Sequence, residues 1–151
     1  GLGCGIAGTA DMIVASDRAS FGAPFLKLGI IAGDGGAWRL PRNVGYMRAA
    51  ELLFTSRSID AGTALDWGLV NRVVGHEALM DEALALAGQV AAQPPRAVRM
   101  TKSLLRQGRD ATLDQILEMS AAYQALAHLT EDHAEGVAAV LEKRSGVFSG
   151  D

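Results

Sequence analysis

Apolar and polar positions divide the chain into a mixed first part and a helical second part. Short apolar runs with β-branched residues predict strands at residues 12–15, 19–22 and 69–74. After Gly75 the apolar residues recur at helical steps, and only the pair Pro94 and Pro95 breaks this pattern. The sequence therefore predicts an α/β portion over residues 1–74 and a helical region over residues 75–151.

Local signals predict several helix ends. Asp60 and Thr130 are suitable N-caps for the helices that follow them, and the segment Thr112–Gln115 has the sequence of a capping box. Pro41 is expected to interrupt or end the helix that precedes it. The last helix is expected to turn its apolar side chains inward, namely Val137, Val140 and Leu141. Stripes this regular usually need a second surface, so packing against a partner chain is expected.

Composition and charge narrow the classes of partner. The 151 residues are 49% hydrophobic, which is enough for one domain with its own core. The 14 basic and 17 acidic side chains form no block of one sign, so neither nucleic acid nor an anionic membrane surface is expected. A small molecule or another protein is the expected partner. The chain opens without an initiator methionine, so it is expected to be the latter part of a longer protein.

Cellular location and redox state are predicted from similar evidence. No apolar run approaches the roughly 18 residues of a membrane helix, and the start lacks the charged residues of a signal peptide. The single cysteine, Cys4, rules out an intrachain disulfide and is typical of a reducing compartment. We therefore expect a cytoplasmic protein in which Cys4 is a small buried hydrophobic residue.

The stretch from Leu28 to Pro41 contains the most conspicuous candidate for chemistry. It places one carboxylate, Asp34, among glycines and apolar residues, directly before a segment with helical spacing. In such a pocket a carboxylate is a candidate proton shuttle. Asp is also among the best N-cap residues, so Asp34 could instead cap a helix that starts at Gly35. The residues by themselves favour the cap.

The glycine-rich opening, Gly1 to Gly5, is the second candidate. A helix that starts there presents unpaired backbone N–H groups, which can hold a phosphate or a developing oxyanion. The same glycines could serve only for close packing, and a lone glycine pattern favours that interpretation. The segment lacks the preceding strand and the later acidic residue of a dinucleotide-binding fingerprint.

Metal binding and nucleophilic catalysis find little support. His128 and His133 are five residues apart, which on one helix would place them on different faces, so no metal site is predicted. The serines stand in no recognisable nucleophile motif, although their partners need not be close in sequence; those considered are Ser16, Ser20 and Ser103. No permanently bound cofactor is expected.

Taken together, the segments resemble the crotonase family, the enoyl-CoA hydratase/isomerase superfamily, along the whole chain. The matching stretches follow the family's order, and they are G-L-G-C-G-I-A, F-G-A-P-F-L-K-L-G-I-I-A-G-D-G-G, A-L-D-W-G-L-V-N-R-V-V and E-G-V-A-A-V-L-E-K-R-S-G-V-F. The resemblance implies an α/β fold: the C-terminal part of a spiral of ββα units, followed by helices that assemble trimers or paired trimers. It also implies that the first half of the fold is missing.

The resemblance also implies a substrate and some site residues. Such enzymes act on coenzyme A thioesters and hold the thioester oxygen with a backbone N–H from the glycine-rich helix start, here at Leu2 with Gly3 beside it. One of the two donors would be missing with the first half. Lys143 matches a family segment that lies near coenzyme A, although it could equally be a solvated charge at a helix end.

Two departures from the family pattern decide the expected chemistry. Typical hydratases carry two glutamates, at the places occupied here by Gly5 and Phe25, and neither of these residues can move a proton. The two positions would line the acyl pocket instead. Some isomerases and dehalogenases of the family use an aspartate in the loop that contains Asp34. One carboxylate beside a polarised thioester is enough for isomerisation, whereas hydration also needs a held water.

The sequence therefore predicts an acyl-CoA-processing enzyme in which Asp34 shuttles a proton and isomerisation is favoured over hydration. Two alternatives remain open. The protein could be an enoyl-CoA hydratase in which Asp34 does all the proton transfer, or a family member that binds acyl-CoA without catalysis.

Overall fold

The computed structural model describes residues 1–151. Its elements, in chain order, are α1 (Leu2–Ala7), β1 (Val14–Ser16), β2 (Ser20–Gly22), a 3₁₀ helix (Pro24–Leu28), α2 (Gly36–Val44), α3 (Tyr46–Thr55), β3 (Ser58–Asp60), α4 (Ala61–Asp66), β4 (Arg72–Val74), a second 3₁₀ helix (His76–Ala78), α5 (Leu79–Ala91), α6 (Pro95–Gln107), α7 (Leu113–His128) and α8 (Glu131–Glu142). None of these helices combines the length and the apolar character needed to cross a bilayer.

The chain divides into two compact units, Gly1–Leu84 and Ala85–Asp151, and the division falls within α5. The first unit contains all four strands, and the second consists of helices with a C-terminal segment.

The strands of the first unit form two separate pairs. β1 lies parallel to β4, with Ala15 opposite Val73, and β2 lies antiparallel to β3, with Phe21 opposite Ile59. The predicted strands are present, but each is only three residues long. β3 was not predicted, because a three-residue strand between two helices leaves no alternation to detect.

The core of the first unit gathers side chains from the helices and from both strand pairs. Leu52 of α3 is the largest side chain that is fully buried. The buried cluster consists of Ala15, Phe21, Leu40, Val44, Ala49, Leu52, Ile59, Ala64, Leu69 and Val70. Because α2 and α3 both contribute to this cluster, the start of α2 is held against the rest of the unit.

Pro41 lies inside α2 and does not end it, so that prediction was wrong. A proline removes a single backbone donor, and its fixed φ is helical. The helix continues to Val44 and ends at Gly45, where φ is +83° and the N–H of Gly45 donates to the carbonyl of Pro41 at 3.0 Å. The left-handed glycine, rather than the proline, therefore ends the helix.

The predicted caps are confirmed. The side chain of Asp60 accepts a hydrogen bond from the N–H of Thr63, and that of Thr130 accepts one from the N–H of His133. The capping box Thr112–Gln115 has both of its reciprocal bonds. These bonds join residues only three positions apart, which is why the sequence alone predicts them.

The prediction that α8 turns its apolar residues inward was wrong. Val137 is 48% exposed, Val140 is 77% exposed and Leu141 is 78% exposed. α8 buries Asp132 and Ala139 instead. The C-terminal segment, residues 144–151, returns along α8, and the Phe148 ring lies 3.7 Å from the place of a Cβ on Gly136.

Two carboxylates of α8 hold the C-terminal segment. Asp132 accepts hydrogen bonds from the N–H groups of Ser149 and Gly150, at 2.8 and 3.1 Å. Glu135 accepts two bonds from the guanidinium of Arg144 and one from the N–H of Val147 at 2.9 Å. These bonds to Arg144 and Val147 lower the pKa of the Glu135 carboxyl from 4.5 to about 2.

We expect Glu135→Gln to lower the thermal midpoint of unfolding at pH 7, because the ionised carboxylate favours the folded state. The pKa is lower in the folded than in the unfolded chain, so this contribution is complete above about pH 4.5. It declines as the pH falls toward 2. Thermal melts from pH 7 to pH 2 should therefore show the variant and the wild type converging.

The matched control is Glu118→Gln, which removes the same charge from an exposed position of α7. A constant difference between Glu135→Gln and the wild type across the whole pH range would contradict the role assigned to the ion pair.

Candidate active site

Asp34 lies at the end of the loop that leads into α2. Gly35 is the N-cap and has φ of +82°, so the chain turns sharply between Asp34 and the first helical residue, Gly36. Oδ1 of Asp34 accepts a hydrogen bond of 2.9 Å from the N–H of Gly36. The expectation that Asp34 is the N-cap of a helix starting at Gly35 is therefore wrong by one residue. The left-handed glycine occupies that position, and Asp34 bonds to the helix start from outside it.

The other carboxylate oxygen of Asp34 lies against Gly5. A Cβ built on Gly5 would stand 2.1 Å from Oδ2 and 3.0 Å from Cγ of Asp34. Real Cβ atoms do not approach other atoms so closely, so the carboxylate occupies the volume that a side chain at position 5 would need. Glycine at position 5 is thus a steric condition for this placement of Asp34.

Asp34 and Gly5 border a small cavity of about 20 Å³. Phe25, Cys4 and Arg39 also line it. The structure therefore brings together the predicted proton shuttle and both residues predicted to line the acyl pocket, Gly5 and Phe25. They come from α1, the first 3₁₀ helix and the loop before α2.

Leu2 and Gly3 lie in the same short helix as Gly5. The first helical bonds are those from the N–H groups of Cys4 and Gly5 to the carbonyl of Gly1. The N–H groups of Leu2 and Gly3 precede these bonds, as the first donors of any helix do. Both residues are exposed.

Arg39 is a residue of this site that the sequence analysis missed. Its Nη2 donates to the backbone carbonyl of Asp34, and its Nη1 lies 2.9 Å from the place of a Cβ on Gly35. Burial is partial for both Arg39 and Asp34. The sequence contained one signal for Arg39, namely its position in the first half of α2. A cation there is destabilised by the helix dipole, so a nearby hydrogen-bond acceptor is expected.

Cys4 is half-buried, and burial raises the pKa of its thiol. A raised pKa leaves less of the reactive thiolate at neutral pH. Cys4 was expected to be a small buried hydrophobic residue, and the structure buries it only in part, at the border of the cavity.

The histidines are not arranged as the sequence predicted. The rings of His128 and His133 lie with their centroids 4.5 Å apart, because α7 ends at His128 and a new helix begins at Glu131. The argument from helix faces holds only within one helix, and the predicted cap at Thr130 separates the two histidines. No group of three or more His, Cys, Asp or Glu side chains is placed to hold a metal ion.

One serine meets a histidine that is distant in sequence. The Ser16 hydroxyl lies 3.1 Å from Nδ1 of His76, and it also accepts the N–H of Arg18. The contact with His76 connects the end of β1 to the 3₁₀ helix that follows β4. The Ser16 side chain is buried, and it lines neither the cavity at Asp34 nor the cavity among α6, α7 and α8.

The second unit holds Lys143 and a larger cavity. Lys143 is the exposed C-cap of α8, in the left-handed conformation with φ of +55°. The cavity, of about 390 Å³, lies among α6, α7 and α8 and is mainly apolar. Its one carboxylate, Asp132, is bonded to the C-terminal segment, whereas the carboxylate of Asp34 borders the smaller cavity.

A comparison with known families agrees with the predicted resemblance. The family model described as enoyl-CoA hydratase/isomerase matches residues 1–151. The chain belongs to this family. The predicted fold class is also confirmed, since the solved structures that match are enoyl-CoA hydratases and the chain covers part of each.

Particular relatives give the extent of the similarity. The chain is 39% identical over 148 residues to a crotonyl-CoA hydratase of Syntrophomonas wolfei, and covers 57% of it. It is 38% identical over 150 residues to the 1,2-epoxyphenylacetyl-CoA isomerase of Escherichia coli K12, again covering 57%. The crystal structure of enoyl-CoA hydratase from Bacillus anthracis matches 99% of this chain with a TM-score of 0.96 and 36% identity. The chain spans less than two thirds of these relatives' length, 58% in the last case.

We expect Gly5→Ala to destabilise the first unit by about 1–3 kcal/mol, the usual cost of overpacking. Asp34→Ala alone should cost about 0.5–2 kcal/mol through the lost bond to Gly36. The double variant should cost less than the sum of the two, because it has no carboxylate at position 34 to collide with the new methyl group at position 5. Urea denaturation of the single and double variants measures this coupling.

The control is Gly33→Ala, in the same loop, where a Cβ would meet nothing within 4 Å. Its stability should change by no more than about 0.5 kcal/mol. Strict additivity of Gly5→Ala and Asp34→Ala would contradict the steric relation between the two positions.

Proposed function

We propose that this chain carries the proton-transfer site of an enzyme that acts on enoyl-CoA thioesters, with Asp34 as the general acid and base. The observation that carries the proposal is the placement of one carboxylate oxygen of Asp34 in the space left by the missing side chain of Gly5. Phe25, Leu40 and Leu69 supply apolar lining to the cavity beside this oxygen, and Cys4, Arg39 and Asn43 also border it. The proposed reaction needs no permanently bound cofactor, since coenzyme A is part of the substrate.

The proposed reaction is a double-bond shift in a 3-enoyl thioester. Asp34 removes a proton from the carbon next to the thioester carbonyl, and the released electron pair moves into the carbonyl as an enolate. The N–H groups of Leu2 and Gly3 are proposed to hold the enolate oxygen as part of an oxyanion hole. Asp34 then returns the proton to the fourth carbon, which leaves the double bond between the second and third carbons.

Isomerisation is favoured over hydration because a single carboxylate serves it. Gly5 and Phe25 offer no second acid or base to hold and activate water. Phe25 places an apolar ring where typical hydratases carry a glutamate, which favours a bulky or aromatic acyl group beside the cavity, since about 20 Å³ does not itself hold one. The similarity to a relative named 1,2-epoxyphenylacetyl-CoA isomerase supports this preference.

Two alternatives have specific support. Relatives named hydratases, such as the crotonyl-CoA hydratase, favour an enzyme in which Asp34 alone activates water. The bond from Gly36 to Asp34 is one that a purely structural aspartate would also make, which favours a member that binds acyl-CoA without turnover.

We expect Asp34→Asn to reduce solvent exchange by about 10²–10⁴-fold, the usual contribution of a positioned general acid or base. The full-length protein is incubated with 2-enoyl- and 3-enoyl-CoA thioesters in D₂O, and the thioesters are then analysed by mass spectrometry. The amide that replaces the carboxylate can still bond to nearby groups but cannot carry the proton, so thioester binding should persist.

The control is Asp66→Asn, which removes an exposed carboxylate from α4 and should leave exchange unchanged. Equal exchange in the wild type and Asp34→Asn would overturn the role of Asp34. Incorporation of ¹⁸O from labelled water into the product would favour the hydratase, and tight binding without any turnover would favour the binding protein.

We further propose that Lys143 contacts a phosphate or the ribose of coenzyme A. Its ammonium group is exposed at the end of α8, where a solvated charge would also be stable. Lys143→Gln should raise the Kd of coenzyme A about two- to fivefold at low salt, as expected for one exposed ionic contact. Isothermal titration calorimetry gives this value, and Lys102→Gln on α6 is the control. An unchanged Kd would indicate a solvated charge only.

Assembly as a homotrimer, or as a dimer of trimers, is also proposed. The helices of the second unit and the turn between α7 and α8 carry large apolar side chains that are more than half exposed: Leu113, Leu117, Leu126, Leu129, Val140 and Leu141. Apolar surface of this extent usually marks an interface. It supports an assembled state in which the second unit is covered.

A further inference from the structure

We propose that Arg39 is the positioning residue of Asp34, and that it fixes the main chain of residue 34 so that Oδ2 stays over Gly5. This inference rests on the proposed role of Asp34 in proton transfer. Arg39 is assigned no direct contact with substrate.

Arg39 acts on the backbone of the loop. Its Nη2 donates to the carbonyl oxygen of Asp34, which fixes the peptide group that follows the carboxylate-bearing residue. Its Nη1 lies over Gly35, at 2.9 Å from the place of a Cβ. The guanidinium therefore occupies the inside of the turn that Gly35 makes with its φ of +82°.

Asp34 is consequently held at two independent points. Arg39 holds its main-chain carbonyl, and the N–H of Gly36 holds Oδ1 of its side chain at 2.9 Å. With both points fixed, little freedom remains for Oδ2, which lies toward Gly5. Since Nη2 of Arg39 is 3.7 Å from the Cβ place on Gly5, the guanidinium also borders the space that this oxygen occupies.

The geometry explains why an arginine stands at position 39. A planar guanidinium can cover Gly35 with one nitrogen while another donates to the carbonyl of Asp34, whereas a lysine ammonium is a single point on a flexible stem. The half-buried guanidinium of Arg39 lies early in α2, where the helix dipole destabilises a positive charge. Its hydrogen bond to the carbonyl of Asp34 offsets this cost.

Positioning matters for proton transfer because an error of about 1 Å in placement can cost about 10²-fold in rate. Removal of Arg39 should therefore act on the chemical step. Binding of the thioester, which does not depend on the orientation of Oδ2, should change little.

The experiment compares Arg39→Gln, Arg39→Lys and Arg42→Gln with the wild type and Asp34→Asn, all in the full-length protein. The kcat and KM of deuterium exchange into an enoyl-CoA thioester are measured, together with the thermal midpoint of each variant. Arg42 is the matched control, because it is an arginine of the same helix whose guanidinium lies over the Trp38 ring at 4.0 Å.

For Arg39→Gln we expect kcat to fall about 10- to 100-fold while KM stays within about twofold. Arg39→Lys should restore part of this loss, because the ammonium can reach the carbonyl of Asp34 but cannot also cover Gly35. Arg42→Gln should leave both parameters unchanged.

Full kcat in Arg39→Gln beside an inactive Asp34→Asn would overturn the inference and leave the proposed function intact. Full activity in Asp34→Asn would overturn the proposed function itself. If Arg39→Gln fails to fold, the kcat of Arg39→Lys tests the inference instead. Full kcat in Arg39→Lys would then overturn it. Failure of both variants to fold would also overturn it and leave Arg39 a structural role.

Discussion

The candidate site depends on a steric exclusion between two residues that are distant along the chain. Oδ2 of Asp34 occupies the volume that any side chain on Gly5 would require. Because Gly5 of α1 has no side chain, the carboxylate of Asp34, from the loop before α2, fits in this space. The left-handed turn at Gly35 and the bond from Gly36 direct the carboxylate into this space. The buried face of α2 secures that turn, because Leu40 and Val44 anchor the helix in the core.

This exclusion connects the local chemistry to the family. Chains of the enoyl-CoA hydratase/isomerase family share the fold, and a fold does not fix the reaction. The reaction depends on which groups border the acyl pocket. Here Gly5 and Phe25 supply no acid or base. Among the residues that line the small cavity, the acidic groups are the carboxyl of Asp34, from the loop before α2, and the thiol of Cys4. The proposed isomerisation rests on this single carboxylate.

The second unit is held together by a different means. Its last helix buries a carboxylate and small side chains rather than its large apolar ones, because the C-terminal segment returns along that side. Asp132 and Glu135 bond to the backbone of this segment, and Arg144 completes an ion pair with Glu135. The large apolar side chains consequently remain on the surface, where another chain or another part of the protein can cover them.

Features that depend on near neighbours along the chain could be predicted from the amino-acid sequence. The caps at Asp60, Thr112 and Thr130 join residues three positions apart, and the family motifs are contiguous strings. For the same reason the sequence could single out Asp34, which stands among glycines, as a candidate.

Contacts between residues that are distant along the chain could be seen only in the folded protein. The contact of Asp34 with Gly5, the pairing of β1 with β4 and the exposure of Val140 all depend on how separate segments pack. The placement of Arg39 belongs here too, because its guanidinium turns back to bond to the carbonyl of Asp34. Spacing along a chain predicts which residues share a face of a helix, but it does not contain the opposing surface that decides which face is buried.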